Sequence, residues 1–462
     1  MSEPAPLPSL DERLAAGRAQ RAQTARAALA TLVKRPATYD PVARLMFQGE
    51  SRVEQLLPIR YQRMLASPLA FYRGGALLMA DDLARSPSTP IEIQICGDAH
   101  LSNFGVFSSP ERQQVFDVND FDETDVGPFE WDVKRLVTSM VIASHSLGHS
   151  GAQQAAIAMH AAKEYRLAMQ RFAKETRLNV WYATLDVNSV MKDLRGFLND
   201  RETQRVSTVI AGAKSRDSAK SYAKMVTYQG GRPRIRYQPP LLSPLGDEEG
   251  SNVKTRSVLD EVLKGYVETL SNDRQALLSQ YVAVDGARKV VGVGSVGTRC
   301  YVMLFVGRDQ NDPFFLQLKQ AQASALSIAR GTASSLAPGQ RVVHGQKLMQ
   351  ATPDAFLGWH TLEVAGESQS FYVRQLYDNK ASVVIGQLNE SLLVAYGRAC
   401  SWALARAHAR SGRSGEIAGY LGKNGRFESS MTTFALAYCD QNQSDYQALR
   451  SAAKQGRITV AS

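Results

Sequence analysis

The stretch GDAHLSNFG at residues 97–105 is followed, after a short gap, by FDVNDFDET at residues 116–124. The first segment places an Asp, a His and an Asn within six residues, and the second contains four carboxylates. Carboxylates this close repel one another, so their ionised forms cost free energy unless a positive charge lies among them. A divalent metal ion is the usual such charge, and phosphate chemistry is its usual purpose. The two segments therefore predict a polar functional loop around which the rest of the chain is organised.

Asp98 and Asn103 lie five residues apart in the first segment. In the catalytic loop of protein kinases, this spacing separates the Asp that accepts the proton of the substrate hydroxyl from an Asn that binds Mg²⁺. The spacing therefore predicts Asp98 as a catalytic residue and Asn103 as a metal ligand. His100, between them, could bind phosphate or orient Asp98, and it is the second candidate catalytic residue.

A strand is predicted at residues 112–121, and the second segment is expected to carry the main metal ligand there, as the DFG motif does in kinases. Because side chains alternate along a strand, Asp120 is expected to face away from Asp117. Mg²⁺ prefers one or two carboxylates together with phosphate oxygens. Asp120 is therefore the preferred metal ligand, with Asp122 as the alternative. In the helix that follows, Asp132 is either an ordinary charge near a helix start or, as in kinase-like folds, a support behind the catalytic loop.

The segment GVGSVG at residues 292–297 fits the pattern G-x-G-x-x-G. In a dinucleotide-binding fold this pattern must precede a helix, but TRCYVMLFV follows here and predicts a strand. Strand, glycine loop and strand is the arrangement that covers ATP phosphates in kinases, where glycine allows backbone N–H groups to come close. Gly292, Gly294 and Gly297 are therefore predicted to bind a nucleotide, and a flexible hairpin is the alternative.

Lys319 lies near the end of the next predicted strand, FFLQLKQA. In kinases a lysine at this place binds the α- and β-phosphates of ATP and pairs with a Glu on the following helix. Lys319 is therefore predicted to bind the nucleotide, and a surface lysine is the alternative. The helix predicted at residues 339–351 contains no acidic residue, so either a later acid reaches Lys319 or the pair is absent. The nearest later acids are Asp354, Glu363 and Glu367.

The whole chain has 462 residues, a net charge of +10 and four cysteines. Its length exceeds what a single small core supports, so two lobes are expected. The charge suits a nucleotide, a nucleic acid or a phosphorylated substrate without choosing among them. No C-x-x-C pair occurs, which argues against zinc and is typical of reduced thiols in a cytoplasmic protein. No run of about 18 apolar residues occurs and the N-terminus lacks the apolar core of a signal peptide, so no membrane partner is expected.

The first part of the chain has a sequence typical of helices. A β-rich part follows, and the last part is again typical of helices. We predict a helical extension over residues 1–40 and a large lobe with the catalytic and metal loops over residues 41–275. A β-rich, nucleotide-binding small lobe is predicted over residues 276–380. Helices over residues 381–462 are expected to complete the large lobe.

The segments GDAHLSNFG, DVNDFDETDVGPFEWDVKRL, VGVGSVGTRCY, LQLKQA and WALARAHARSG together resemble a bacterial family named as a domain of unknown function, DUF2252, over nearly the whole chain. The same segments resemble the aminoglycoside-phosphotransferase and protein-kinase superfamily. That second resemblance implies an α+β, bilobal, protein-kinase-like fold with a mostly helical large lobe and a β-rich small lobe. It also implies ATP and Mg²⁺ as cofactors.

The order of the segments differs from that superfamily, in which the glycine loop comes first. Here the catalytic loop comes first, and Asn103 at its end precedes Gly292 of the glycine loop by about 190 residues. The predicted helix at residues 391–412 resembles the one that directly precedes the catalytic loop in phosphotransferases. A circular permutation of a kinase-like chain would explain both observations.

An ATP- and Mg²⁺-dependent phosphotransferase is therefore the leading prediction, with an unknown anionic or hydroxyl-bearing acceptor. Arg73 and the basic residues 213–236 are candidates for contact with such an acceptor. One alternative is a nucleotide- or nucleic-acid-binding protein without catalysis. Another is a metallophosphoesterase, because GDAH resembles the start of its metal-binding motifs. That class also requires a later G-N-H segment, which this sequence lacks.

Overall fold

The computed structural model describes residues 7–186, 199–201, 203–204, 208, 225–245, 255–364, 366–376 and 383–461. Helices account for 51% of the structure and strands for 17%, which confirms the predicted α+β class. Part of the basic stretch, residues 213–224, lies outside the described residues.

The helices that precede the catalytic loop begin where the local sequence favours it. The Asp40 carboxylate accepts hydrogen bonds from the first N–H groups of α2, and Ser67 does the same for α4. Both caps are followed by Pro at the first helical position, where its missing N–H costs nothing. The helices up to the loop are α1 (Leu10–Ala19), α2 (Pro41–Gly49), α3 (Leu57–Leu65), α4 (Pro68–Gly74) and α5 (Ala76–Arg85).

The two predicted functional segments, residues 97–105 and 116–124, lie on two small pairs of strands. β1 (Glu92–Ile95) pairs antiparallel with β4 (Asp125–Pro128), and β2 (Phe104–Ser108) pairs antiparallel with β3 (Gln114–Val118). The predicted strand at residues 112–121 is therefore shorter than expected, since it ends at Val118. Both predicted functional segments are loops that leave or enter these strands.

Helix α6 (Phe129–Ser146) follows β4 and is buried along almost its whole length. It packs against α7 (Gly151–Phe172), α13 (Glu390–Ala409) and α15 (Arg426–Lys454). Apolar side chains from these helices form the largest hydrophobic cluster, which also takes in the strands of the catalytic segments. The remaining helices described in this part of the chain are α8 (Arg177–Tyr182) and α14 (Ser414–Leu421).

A six-stranded antiparallel sheet forms the β-rich part, with the strand order β11-β12-β10-β9-β8-β7. The strands are β7 (Leu242–Pro244), β8 (Val282–Lys289), β9 (Cys300–Val306), β10 (Pro313–Ala321), β11 (Gly358–Val364) and β12 (Glu367–Gln375). Edge strand β7 comes from the region that the sequence assigned to the large lobe. A separate hairpin of β5 (Val226–Gln229) and β6 (Arg232–Ile235) also comes from that region.

Helices cover the sheet and connect its strands. α9 (Thr255–Val267) and α10 (Asn272–Leu278) precede β8, and their apolar residues join those of the sheet in a second hydrophobic cluster. α11 (Ala325–Arg330) and α12 (Pro338–Met349) lie between β10 and β11. No helix in the described part of the chain combines the length and the apolarity that a membrane span requires.

An ion pair between Arg406 on α13 and Asp117 on β3 is almost completely buried. Both oxygens of Asp117 accept hydrogen bonds from the guanidinium of Arg406, which also donates to the carbonyl of Met349 at 2.7 Å. Removing one member of a buried pair leaves an uncompensated charge, whereas an exposed pair contributes little. This pair therefore fixes α13 against the hairpin that connects the two functional segments.

We predict that Arg406→Met lowers the free energy of unfolding by about 3–5 kcal/mol, because Asp117 would remain buried without its cation. Urea denaturation followed by circular dichroism measures the loss. The matched control is Arg308→Met, since the Arg308 side chain is 81% exposed beside Asp309. The control is expected to change stability by less than about 0.5 kcal/mol. Equal effects of the two substitutions would contradict a supporting role for the buried pair.

Candidate functional site

The predicted catalytic loop runs from Gly97 to Asn103. Asp132, in the first turn of α6, fixes the start of this loop. Its carboxylate accepts hydrogen bonds from the backbone N–H groups of Cys96 at 2.6 Å and Gly97 at 2.9 Å. The ring of His408, on α13, lies 3.1 Å from the same carboxylate. The sequence suggested two roles for Asp132, and the structure shows the second: Asp132 supports the loop from behind.

Gly97 brings the two functional segments into contact. Its φ angle is +79°, a region that only glycine adopts without strain. A Cβ atom at this position would lie 2.1 Å from the carbonyl oxygen of Glu123. Any larger residue would push the catalytic loop away from the carboxylate segment.

Asp98 is held by an arginine that the sequence analysis did not select. The Nε and Nη2 atoms of Arg135, on α6, lie 2.8 and 2.7 Å from Oδ1 of Asp98. These contacts leave Oδ2 of Asp98 available, with Nε2 of His100 at 3.6 Å. Burial raises the pKa of Asp98, although the charge of Arg135 opposes that shift. Asp98 therefore has one restrained oxygen and one oxygen that can meet a substrate.

His100 is 2% exposed, and its Nδ1 atom has no hydrogen-bond partner in the described part of the protein. Burial lowers its pKa well below the usual histidine value, and the charges of Arg73 and Arg135 lower it further. A neutral imidazole therefore lies beside Asp98.

Asn103 ends the catalytic loop and closes it on itself. Its amide nitrogen donates to the carbonyl of Asp98 at 2.7 Å, and its backbone N–H donates to the carbonyl of His100. Its backbone carbonyl accepts from the N–H of Asn119, which leads into the carboxylate segment. Because the amide nitrogen is used internally, the amide oxygen remains as the atom suited to a hard cation.

The four carboxylates of the second segment are separated by their partners. Asp117 is bound by Arg406, away from the catalytic loop. Glu123 accepts a hydrogen bond at 2.6 Å from the N–H of Ala325, at the start of α11. Asp120 and Asp122 lie beyond the end of β3 at Val118, and both carboxylates face the same cavity.

Asp122 is the carboxylate to which the β-rich part binds. Lys319 on β10 forms an ion pair with its Oδ2, the hydroxyl of Tyr372 donates to Oδ1 at 2.6 Å, and Ser295 donates to Oδ2 at 3.0 Å. Burial opposes ionisation, but Lys319 and Tyr372 outweigh it and lower the pKa of Asp122. Lys319 and Tyr372 are direct cross-strand neighbours, which explains why both reach the same group.

The partner of Lys319 is therefore none of the acids considered from the sequence. Helix α12 lacks a carboxylate, as the sequence analysis noted, and it contributes Arg341 instead. Arg341 donates to the backbone carbonyls of Asp122 and Thr124. The helix thus holds the backbone of the carboxylate segment, while Lys319 binds its side chain.

Asp120 differs from its neighbours because no cation of the described residues lies within ion-pair distance of it. Among the described residues, only the backbone N–H of Asp122 donates to its Oδ1 atom, at 3.3 Å. Burial raises the pKa of Asp120, and the charge of Asp122 raises it further. Asp120 is therefore the carboxylate of this segment that most lacks a positive partner.

The predicted strand, glycine loop and strand are confirmed by β8 and β9. Gly292 and Gly297 have φ angles of +59° and +90°, which explains glycine at those two positions. Arg52 donates to the carbonyls of Gly294 and Val296, so the loop is held through its oxygen atoms. The backbone N–H groups of Val293, Gly294 and Ser295 donate to no group of the described residues.

A cavity of about 350 Å³ opens between the glycine loop, the catalytic loop and the end of α2. It lies within the size range of small-ligand sites in proteins. The predicted site residues that line it are Asp98, His100, Asn103, Asp120, Asp122, Gly292 and Gly294. Gly297 packs against the side chain of Arg52, and Lys319 lies behind Asp122, so neither belongs to the lining.

The sheet face that carries Lys319 is closed by side chains. Alternation places Phe315 and Gln317 of β10 on the same face as Lys319. Phe315 packs with apolar residues of the β5–β6 hairpin. Gln317 is 4% exposed, and its amide oxygen accepts from Nε of Arg374 at 3.1 Å. The open volume at the site is therefore on the side of α2 and the glycine loop.

Sequence reasoning missed Arg52, Arg135 and Arg341, which hold the loops of the site. Arg135 follows Asp132 by three residues on α6, so helical spacing could have shown that both face the catalytic loop. Arg52 and Arg341 act on backbone carbonyls of segments far away in the chain, and nothing in their local sequence indicates such partners.

No three His, Cys, Asp or Glu side chains of the described residues come together as ligands for a metal ion. A Mg²⁺ ion held by Asn103 and one or two carboxylates would need further oxygen ligands from a phosphate group or water.

We predict that His100 stays neutral from pH 6 to pH 8, because its pKa lies well below the usual value. Its ring resonances in NMR spectra should not shift over that range, and His100→Gln identifies them by their loss. A titration inside this range would show that His100 forms a charged pair with Asp98, contrary to the neutral contact described above.

Comparison with known proteins gives one match. The family described as "Uncharacterized protein conserved in bacteria (DUF2252)" matches residues 52–452. No curated protein and no solved structure matches the chain. The match includes the catalytic loop, the carboxylate segment and the glycine loop, and it agrees with the first resemblance recognised in the sequence. This protein belongs to the bacterial DUF2252 family.

Proposed function

We propose that this protein is an ATP- and Mg²⁺-dependent phosphotransferase of kinase-like type, which acts on a hydroxyl group of an acceptor. The kinase-like bilobal fold and its circular permutation are part of this proposal. The observation that carries it is the meeting of Asp98, Asn103, Asp120 and the glycine loop at one cavity, although about 190 residues separate the loops.

The environment of Asp98 fits the role of the residue that accepts the hydroxyl proton. Arg135 restrains one carboxylate oxygen and leaves the other near the cavity. A general base must be held in position while one atom can reach the proton that it receives. In the proposed reaction, Asp98 accepts the acceptor's hydroxyl proton while the terminal phosphoryl group passes from ATP to that oxygen, and ADP leaves.

The opposite wall suits phosphate groups. The unpaired N–H groups of Val293, Gly294 and Ser295 resemble the backbone donors with which glycine loops bind phosphates. Asp120 and the amide oxygen of Asn103 supply hard oxygen atoms for Mg²⁺, whose remaining ligands would come from phosphate and water. No described residue forms an ion pair with Asp120, which supports this assignment, because a bound metal ion would compensate its charge.

The place of the nucleoside is expected to differ from that in an ordinary kinase. The face beside Lys319 is filled by Phe315, Gln317 and the β5–β6 hairpin. The open part of the cavity lies next to Phe47, which is 46% exposed at the end of α2. We propose that Lys319 positions Asp122 and that the nucleoside lies towards Phe47.

A nucleotide-binding protein without catalysis is the second candidate. It is favoured by the ion pair of Lys319 with Asp122, which keeps the lysine out of the cavity lining, and by the lack of an acid on α12. The restrained carboxylate of Asp98 favours the enzyme, because binding a nucleotide does not require a base. Binding and turnover must therefore be measured separately.

We predict that ATP raises the melting temperature of the protein only when Mg²⁺ is present, and that Asp120→Ala abolishes this effect. A ligand at 100 times its Kd stabilises a protein by about 2.7 kcal/mol, which a thermal unfolding experiment detects readily. The matched control is Asp260→Ala, because Asp260 is an exposed carboxylate on α9, outside the cavity. Equal shifts with and without Mg²⁺, or in wild type and Asp120→Ala, would contradict the proposed metal ligand.

We predict that Asp98→Asn retains the Mg²⁺-dependent stabilisation by ATP but slows ATP turnover by about 10²–10⁴-fold, the usual contribution of a general base. Release of ADP from ATP without an added acceptor measures basal turnover. If wild type binds ATP with Mg²⁺ but its ADP release equals that of Asp98→Asn, the non-catalytic alternative is favoured.

A further inference from the structure

Arg73 lies near the end of α4 and lines the same cavity as Asp98. No described residue forms a hydrogen bond or an ion pair with its guanidinium group, and its Nε atom is buried. The neighbouring arginines differ in this respect. Arg52 is bound to carbonyls of the glycine loop, and Arg135 is bound to Asp98.

An unpaired cation in a partly buried position costs free energy, because burial removes water without supplying a partner. Burial lowers the pKa of Arg73, and the nearby charges of Asp98 and Asp120 oppose that shift. Both carboxylates have other roles, since Arg135 binds Asp98 and Asp120 is the proposed metal ligand. The guanidinium of Arg73 is therefore in position for an anion that enters the cavity.

The surroundings of Arg73 indicate which anion fits. A Cβ atom on Gly294 would lie 3.3 Å from the backbone carbonyl of Arg73, so the glycine loop lies directly against the end of α4. Val293, Gly294 and Ser295 of that loop, whose N–H groups donate to no described residue, line the same cavity as Arg73. Tetrahedral phosphoryl groups bind to such combinations of backbone N–H groups and arginine. The buried, unpaired Nδ1 atom of His100 is a second polar group left without a partner at this cavity.

We infer that Arg73 binds a phosphoryl group between the glycine loop and Asp98, and that this group is the terminal phosphate of ATP. The inference rests on the proposed function and adds a residue that stabilises the group in transfer. An arginine at such a position stabilises the charge of the phosphoryl group during transfer. A phosphate on the acceptor would present the same chemistry, so the experiment separates these two sources.

The test compares wild type with Arg73→Gln in calorimetric titrations with ATP, ADP and inorganic phosphate, each with Mg²⁺. Since ADP lacks the terminal phosphate, we expect Arg73→Gln to weaken ATP binding about tenfold or more and ADP binding less than about twofold. Arg73→Lys keeps the charge without the bidentate fork and is expected to give an intermediate loss. The control, Arg256→Gln, removes an exposed arginine on α9 and should alter neither affinity.

Three other results distinguish failure of this inference from failure of the proposed function. Loss of phosphate binding in Arg73→Gln, with ATP and ADP binding unchanged, would keep the phosphoryl site and assign it to the acceptor. Unchanged binding of all three ligands would overturn the inference, while ATP binding by wild type would still support the proposed function. If wild type binds phosphate through Arg73 but neither nucleotide, the proposed function fails and the phosphoryl site remains. Arg73→Lys carries the same comparison if Arg73→Gln does not fold.

Discussion

The carboxylate of Asp122 is the group through which the β-rich part and the helical part meet at the site. Lys319, Tyr372 and Ser295 all bind its two oxygens from the sheet and the glycine loop. Because the lysine and tyrosine are cross-strand neighbours, both side chains reach Asp122 from the same face of the sheet. This contact sets the distance between the glycine loop and the catalytic loop, and hence the size of the cavity between them.

Buried charges elsewhere at the site are compensated in the same manner, by partners distant in the chain. Arg135 binds Asp98, and Arg406 binds Asp117. Since an ion that loses its partner in a buried position is strongly destabilising, each pair also fixes the helix that carries the arginine. Two charged side chains at the site differ from these pairs. Asp120 and Arg73 face the same cavity, and neither forms an ion pair with a described residue, which is the state expected for groups that a metal ion and an anion would complete.

The proposed nucleotide site differs from the arrangement in kinases in the partners of its lysine and in the filling of the sheet face. Helix α12 contributes Arg341, which donates to the backbone carbonyl of Asp122, at the place where kinases have an acid. Lys319 pairs with the side-chain carboxylate of Asp122. Gln317 and a hairpin fill the sheet face beside that lysine. These differences displace the open volume towards α2 and give the proposed ATP site an arrangement of its own.

The sequence alone determined the local features of the site. The spacing of Asp98 and Asn103, the strand on each side of the glycine loop and the helix that carries Asp132 all follow from patterns of neighbouring residues, because turns, caps and alternation depend on local backbone geometry. The tertiary structure decided which charge pairs with which. Asp120 and Asp122 lie only two residues apart and both face the cavity, yet only Asp122 forms an ion pair with Lys319. The partner of Lys319 could not be read from its own segment, because ion pairs between distant segments depend on how the helices and the sheet pack and carry no local signature.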